Sequence, residues 1–310
     1  MSKNGSITYQ VERAIKDKLA YGESKHEAKK HNSEDENIFS TGTTKAYLRE
    51  CVRFAKFCKE RYGCKTLSDC RPFQKRYLRE VRKANGEEYK AASLSTMASA
   101  IAKLYGTHKV KTPERRRADI TRSRGPVAMD RHYDSDSLEN KRIEKFLDAT
   151  GLRRNEAEHI TGNQLVQIRS EYFIHVCGNQ AKGGRERYAK VIGDVRFVVD
   201  MMNAAGTNKV FGKIHSALDV HSHRAKYAAE YYKSIARDYA TCKATRFYDP
   251  SRGKLCKDSL YWCRGDLAGT WYDKKAMLTV SKSLGHGRID VIAGHYLYLL
   301  TGENDHSKIA

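Results

Sequence analysis

The stretch QLVQIRSEYFIHVCGNQAKGGRERYAKVI, residues 164–192, decides the fold class. Its middle alternates with period two: Tyr172, Ile174 and Val176 fall on one face, Phe173, His175 and Cys177 on the other. That is the pattern of a half-buried strand. Gly178, Gly183 and Gly184 break the run, so the strands fold back as a small antiparallel sheet. Around it the apolar residues return every three or four positions instead, as on helices. The class expected is mainly α with a small antiparallel β-sheet.

Working outward, TTKAYLRECVRFAKFCKERYG (43–63) puts Tyr47, Cys51, Phe54, Ala55 and Cys58 on one helical stripe, closed by Gly63. A second helix is expected over about 69–84. A third follows in SLSTMASAIAKLYG, with Ser93 or Ser95 as N-cap and Gly106 as its end. Residues 8–31 read as one charged helix and 32–40 as a loop. Beyond the basic stretch at 109–125, DSLENKRIEKFLDATGLRRNEAEHI (136–160) reads as two helices parted at Thr150–Gly151. VHSHRAKYAAEYYKSIARDYA (220–240) reads as one. In SLGHGRIDVIAGHYLYLL (283–300), Ile289, Ile292, Ala293, Tyr296, Leu299 and Leu300 share a face at helical spacing.

The 310 residues carry 58 Lys and Arg against 37 Asp and Glu, a net +21. A folded chain this basic is expected to meet a polyanion, because neutralising phosphates releases their condensed counterions. The charge is shared: residues 1–125 hold 29 basic and 15 acidic side chains, residues 126–310 hold 29 and 22. KVKTPERRRADITRSRGP (109–126) gathers Lys109, Lys111, Arg115, Arg116, Arg117, Arg122 and Arg124 around Pro113, and reads as an extended basic linker that touches DNA. Two domains follow, 1–108 and 126–310, joined by 109–125. No apolar run is long enough to span a bilayer and the first residues lack a secretory h-region, so a cytoplasmic protein without membrane contact is expected. The eight cysteines form no CxxC pair and read as reduced thiols. Cys256 and Cys263 come nearest to a zinc pair, but the spacing is too loose, and neither metal nor cofactor is expected.

Five features of the second half belong to one kind of chemistry. They are Arg153 in TGLRRNEAEHI, Lys182 in AKGGRER, His221 and Arg224 in HSHR, His286 in LGH, and Tyr296. Each alone has a plain explanation: a surface arginine, a hairpin lysine, a core tyrosine. Together they fit phosphoryl transfer by a covalent nucleophile. Guanidiniums clamp non-bridging phosphate oxygens, histidines hydrogen-bond or move protons near neutral pH, and a lysine protonates a leaving alkoxide. A phenol, which titrates near ~10 in water, needs such cationic neighbours to attack.

In that order the boxes resemble the tyrosine recombinase (lambda-integrase, phage integrase) family. The resemblance covers about 41–300, with 41–106, including Thr44 and Tyr47, similar to the family's helical core-binding domain. It implies a core-binding domain followed by an α+β catalytic domain. It implies a site-specific recombinase that cuts and rejoins DNA through a 3′-phosphotyrosine and a Holliday junction, most simply for a mobile genetic element. Arg153 and Arg224 would be the phosphate clamp, Lys182 the general acid, and His221 an aid to proton transfer. His286 would bind the scissile phosphate and Tyr296 would be the nucleophile, with Glu156 as a structural partner. The implied partners are double-stranded DNA with inverted-repeat core sites, three further copies making a tetramer on two sites, and an accessory DNA-bending or directionality protein.

Three departures accompany the resemblance. In many members the nucleophile lies nine residues after the LGH histidine; here that position is His295, and Tyr296 stands at ten, with Tyr298 as rival. The segment from HSHR to LGH is long, and residues 243–272 read as an insertion, with a surface β-hairpin expected in it. Lys190 is a rival to Lys182 on the same hairpin. Residues 1–40 extend the first domain or form a DNA-contacting arm. Other readings of the same residues are an architectural DNA-binding protein without activity and a type IB topoisomerase.

Overall fold

The computed structural model describes residues 5–23, 25–31, 36–114, 133–182, 184–264 and 267–300, without the side chains at 25, 26, 29, 298 and 299. The chain forms two compact units, residues 1–119 and 120–310. The class is mainly α with small antiparallel sheets, as the periodicities predict. No helix among the described residues is long and apolar enough to cross a membrane.

In the first unit, α1 (Ile7–Lys16) buries Ile7, Val11 and Ile15, one residue per turn. It stops at Lys16, and a short helix, α2 (Lys25–Lys30), follows, so 8–31 is not one helix. The reason is a bridge between Leu19 and Ile38, with Ile38 N–H donating to Lys18 O at 2.7 Å and Ala20 N–H to Ile38 O at 3.0 Å. That bridge also gives structure to part of 32–40. Helix α3 (Thr41–Tyr62) is capped by Ser40 and closed by Gly63 at φ 65°, and it buries Cys51, Phe54, Ala55 and Cys58 on the predicted stripe. The expected helix at 69–84 is instead α4 (Leu67–Cys70), a 3-10 turn at Arg71–Phe73, and α5 (Gln74–Glu80). Pro72, with no N–H to give and a ring that clashes with the preceding turn, forces the restart. Helix α6 (Ala91–Tyr105) begins after Lys90, earlier than the serine caps predicted, and ends at Gly106. Cys51, Cys58, Cys64 and Cys70 lie in the core between these helices. All eight cysteines are free, and burial first, then the charge of Glu50, pushes the Cys51 thiol up to about 12.

The second unit starts with α7 (Leu138–Thr150), capped by Ser137 and stopped by Gly151 at φ 59°. A single turn, α8 (Arg154–Ala157), leads into β1 (Leu165–Ile168), β2 (Glu171–Val176) and β3 (Arg187–Lys190). They form an antiparallel sheet in that order, with Leu165 opposite Ile174 and Ile174 opposite Ala189. Helix α9 (Val195–Ala205) precedes α10 (Val220–Ile235) and α11 (Tyr239–Ala244), so 220–240 is two helices. The break holds Arg237, whose guanidinium pairs with Asp273 at 2.7 and 2.8 Å.

The segment 243–272 contains two hairpins rather than one, β4 (Phe247–Asp249) with β5 (Lys254–Cys256) and β6 (Leu260–Trp262) with β7 (Trp271–Asp273). It is not a surface addition alone. Phe247 and Tyr272 are buried in the core around α10, and the Tyr272 hydroxyl donates to Leu297 O at 3.2 Å. β7 runs directly into α12 (Lys274–Ser283). The stretch 283–300 is likewise not one helix: α13 covers only Ile289–His295 and a 3-10 turn follows at Leu297–Leu300. Tyr296 sits between them at φ −125°, ψ −37°, outside both.

Candidate functional site

Besides a small cluster of Cys242, Leu260 and Trp271, the second unit has two large cores, one between α7, α9 and the sheet, the other between α10, α12 and α13. The site lies where they meet. Arg224 comes from the first turns of α10 and is 2% exposed. Its Nη1 donates to Gly151 O and one Nη2 bond goes to Leu284 O. Nε reaches the Tyr296 hydroxyl at 3.3 Å, and Nη2 lies 3.4 Å from His286 Nε2. His286 Nε2 in turn lies 2.9 Å from the Tyr296 hydroxyl. The tyrosine oxygen is thus held between a guanidinium and an imidazole. His221, exposed at the start of α10, brings its ring to 5.4 Å from the Tyr296 ring.

Beside this triad stands a second group. Arg153 donates from Nη1 to Glu156 Oε1 at 2.8 Å, from its backbone N–H to Oε2 at 2.7 Å, and from Nη2 to Leu284 O at 3.2 Å. Glu156, fully buried, also receives both Nη groups of Arg187, at 2.9 and 2.7 Å. Arg187 Nε donates to Ser283 O at 2.8 Å. The Ser283 hydroxyl accepts from Lys190 N–H at 3.0 Å and lies 2.7 Å from the Tyr227 hydroxyl. The segment from Ser283 to His286 is therefore laced to β3, to the start of α8 and to α10. Two glycines allow the fit: a Cβ on Gly151 would lie 2.4 Å from the Tyr227 ring, and one on Gly285 would lie 2.9 Å from the Arg187 side chain.

The electrostatics are unbalanced. Two guanidiniums, of Arg153 and Arg187, share the Glu156 carboxylate, and among the described residues Arg224 meets no carboxylate at all. Burial lowers its pKa to about 10, partly offset by Tyr296, so it stays charged at neutral pH. A buried cation held only by carbonyls, a phenol and a neutral ring is costly to keep unless an anion joins it. An open cleft of about 290 Å³, lined by Arg153, Arg154, Asp219, His221 and Arg224, gives an anion a way in. Arg154 pins the approach to α10 through Ile214 O and His215 O at 2.9 and 2.8 Å.

No protein-family model, curated protein or solved structure matches the chain.

Of the six candidate residues, five converge: Arg153, His221, Arg224, His286 and Tyr296. Lys182 does not join them. It is exposed on the turn between β2 and β3, and no hydrogen bond or ion pair ties it to the other five among the described residues. Its rival Lys190 is turned to Glu171 and to the face of Phe173, 5.1 Å away. The Tyr298 side chain lies outside the described residues, and His295 is exposed. The second histidine of HSH, His223, pairs with Asp148 at 2.8 Å, and no group of three His, Cys, Asp or Glu placed to hold a metal occurs among the described residues. Of the basic linker, Lys109 donates to Ser95 Oγ, and Lys111 is exposed along a cavity of about 530 Å³ with Lys75 and Arg79. Arg115, Arg116, Arg117, Arg122 and Arg124 lie outside the described residues.

Sequence reasoning missed Arg187, Ser283 and Tyr227. For Arg187 a signal existed: period two on β3 puts it on the same inward face as Ala189, and a charge there needs a buried partner. Glu156, read as a structural partner, is that partner.

Burial first, then the charges of Arg224, Arg153 and Arg187, push the His286 imidazole down to about 3. It is neutral at pH 7 and serves as a hydrogen-bond partner, not as a cation. In DNA-free protein, an NMR titration should show the His286 ring without a protonation step between pH 7.5 and about 4, whereas a free imidazole titrates near ~6.5. A step near 6.5 would mean the ring is not held as described. Because the folded value lies below the free one, the unfolded chain takes the proton first, and stability falls as pH drops below about 6.5.

Proposed function

We propose that the protein is a tyrosine-type site-specific DNA recombinase, with a helical core-binding domain and an α+β catalytic domain, acting for a mobile genetic element. The observation that carries the proposal is the Tyr296 hydroxyl held by buried, carboxylate-free Arg224 and neutral His286 next to an open cationic cleft. A phenol so placed has the neighbours that favour its oxyanion and the charge that draws a phosphodiester to it.

In this reading Arg153 and Arg224 bind the non-bridging oxygens of a DNA phosphate, and His286 adds a hydrogen bond. The Tyr296 oxygen attacks phosphorus, and His221 takes up its proton. The bond to the 5′-oxygen breaks, and that oxygen leaves with a proton from Lys182, which reaches the others only when a duplex is bound. The 3′-phosphotyrosine keeps the energy of the broken bond, so a second 5′-hydroxyl reseals the strand without ATP. Two rounds on paired sites, through a Holliday junction, give strand exchange by four protomers. The isolation of Lys182 favours a second reading, a DNA-binding protein of the same architecture that does not cut.

The test is covalent trapping. A duplex that the protein selects from a randomised pool is nicked so that the cleaved end diffuses away, and the mixture is run under denaturing conditions. The recombinase reading expects a DNA–protein adduct whose yield EDTA leaves unchanged, because guanidiniums supply the positive charge. Binding with no adduct establishes the second reading.

A further inference from the structure

The β4–β5 hairpin is the least explained element of the second unit. Between Lys243 and Lys257 it carries five basic residues, at 243, 246, 252, 254 and 257, against one acid, Asp249. That acid is buried and accepts from the Ser251 N–H and hydroxyl at 2.9 and 2.7 Å. Its Oδ2 also lies 3.8 Å from Arg252 Nε, and Lys243, Arg246, Lys254 and Lys257 are exposed. Register makes the surface specific. Phe247 and Cys256 are opposite each other and pack toward the α10 core. On the other face Tyr248 stands opposite Leu255, and these are 58% and 52% exposed. Arg246 and Lys257, both exposed, flank the strand ends next to the Phe247–Cys256 pair. An exposed apolar pair flanked by cations gains nothing from water and leaves a surface suited to a polyanion with apolar edges.

We propose that this ribbon is a second contact for double-stranded DNA, separate from the phosphate cleft. This rests on the reading of the protein as a DNA recombinase and adds a binding surface to it. A two-stranded ribbon fits the major groove of B-DNA, Arg246 and Lys257 at its strand ends would neutralise phosphates, and Tyr248 and Leu255 offer apolar contact to base edges such as the thymine methyl. The hairpin follows α11 in the chain and lies beside the start of α13, where Asp249, Arg252 and Cys256 line one cavity with Arg288, Ile289 and Asp290. None of its residues lines the cleft of Arg153, His221 and Arg224, so a contact there adds a separate anchor for duplex. It contributes to affinity and placement and takes no part in bond breaking.

The test uses the full chain and a duplex of several helical turns, with binding measured over a range of salt concentrations. The double variant Arg246→Gln/Lys257→Gln should lower the slope of log affinity against log salt by about 2, close to one unit for each phosphate no longer neutralised. Tyr248→Ser should weaken binding with little change of slope. Melting curves confirm that the variants fold, and their adduct yield at saturating protein should match the unaltered chain. An unchanged slope and affinity in the double variant overturns the proposal, even where an adduct forms and the recombinase reading stands. A reduced slope with no adduct from any variant keeps the ribbon contact and removes the recombinase reading. A shift in the sedimentation of DNA-free Tyr248→Ser with DNA binding intact assigns the face to protein association and overturns the proposal.

Discussion

Tyr296→Phe should abolish the covalent DNA adduct while leaving duplex binding intact. The substitution removes one oxygen. If that oxygen is the nucleophile, the loss is on the order of 10⁶-fold in rate, the size seen where a covalent nucleophile is deleted from a hydrolase. The proposed phosphate clamp should survive, since Arg153 and Arg224 keep their backbone acceptors on Gly151 and Leu284. The hydroxyl is also a structural acceptor for Arg224 Nε, so the variant should lose about 1–3 kcal/mol of stability. A melting curve and a binding curve separate that loss from the loss of chemistry. Tyr298→Phe should retain the adduct. An adduct that survives Tyr296→Phe and vanishes in Tyr298→Phe would move the nucleophile two residues along the chain.

Glu156→Gln should cost about 3–5 kcal/mol, the range for breaking a buried ion pair by removing one partner. Glu156 is fully buried and takes two bonds from Arg187 and two from Arg153. Burial by itself would raise its pKa, but the hydrogen bonds and charge of Arg187, then of Arg153, overcome this and hold it at about 2. The folded value therefore lies below that of the unfolded chain, near ~4.3. The stabilisation, about 3 kcal/mol, is complete above pH ~5 and is lost as pH falls through 4 toward 2. Urea unfolding at pH 7 and again near pH 3 should show the gap between the two proteins shrinking. A gap independent of pH would mean that shape, not charge, makes Glu156 matter. The variant should also bind DNA less well, because Arg153 loses its anchor beside Leu284.

Both effects come from interactions that no single segment encodes. Arg153, Arg187 and Arg224 belong to three different elements, yet each donates to a carbonyl of Ser283 or Leu284. That short piece of backbone, between α12 and His286, gathers the cations and sets the histidine beside Tyr296. Lys182 shows the converse. Its place in AKGGRER is readable and Arg185 of the same turn donates to His286 O at 3.1 Å, yet the Lys182 side chain is exposed and makes no bond to the cluster among the described residues.

Sequence alone determined the mainly α class, the strands of residues 165–190 and the helix ends at Gly63, Gly106 and Gly151. It determined these because burial on one face imposes a local period, and because caps and glycines such as Ser40, Gly63 and Gly151 act within a turn. It also picked out five residues that converge. Tertiary structure decided the rest. Helix 8–31 breaks because Leu19 pairs with Ile38, and 243–272 enters the core because Tyr272 and Phe247 find α10. Tyr296 leaves its helix at a point the apolar stripe did not mark, where Arg224 and His286 receive its hydroxyl. Packing against distant segments has no period along the chain, so those positions become visible only once the chain has folded.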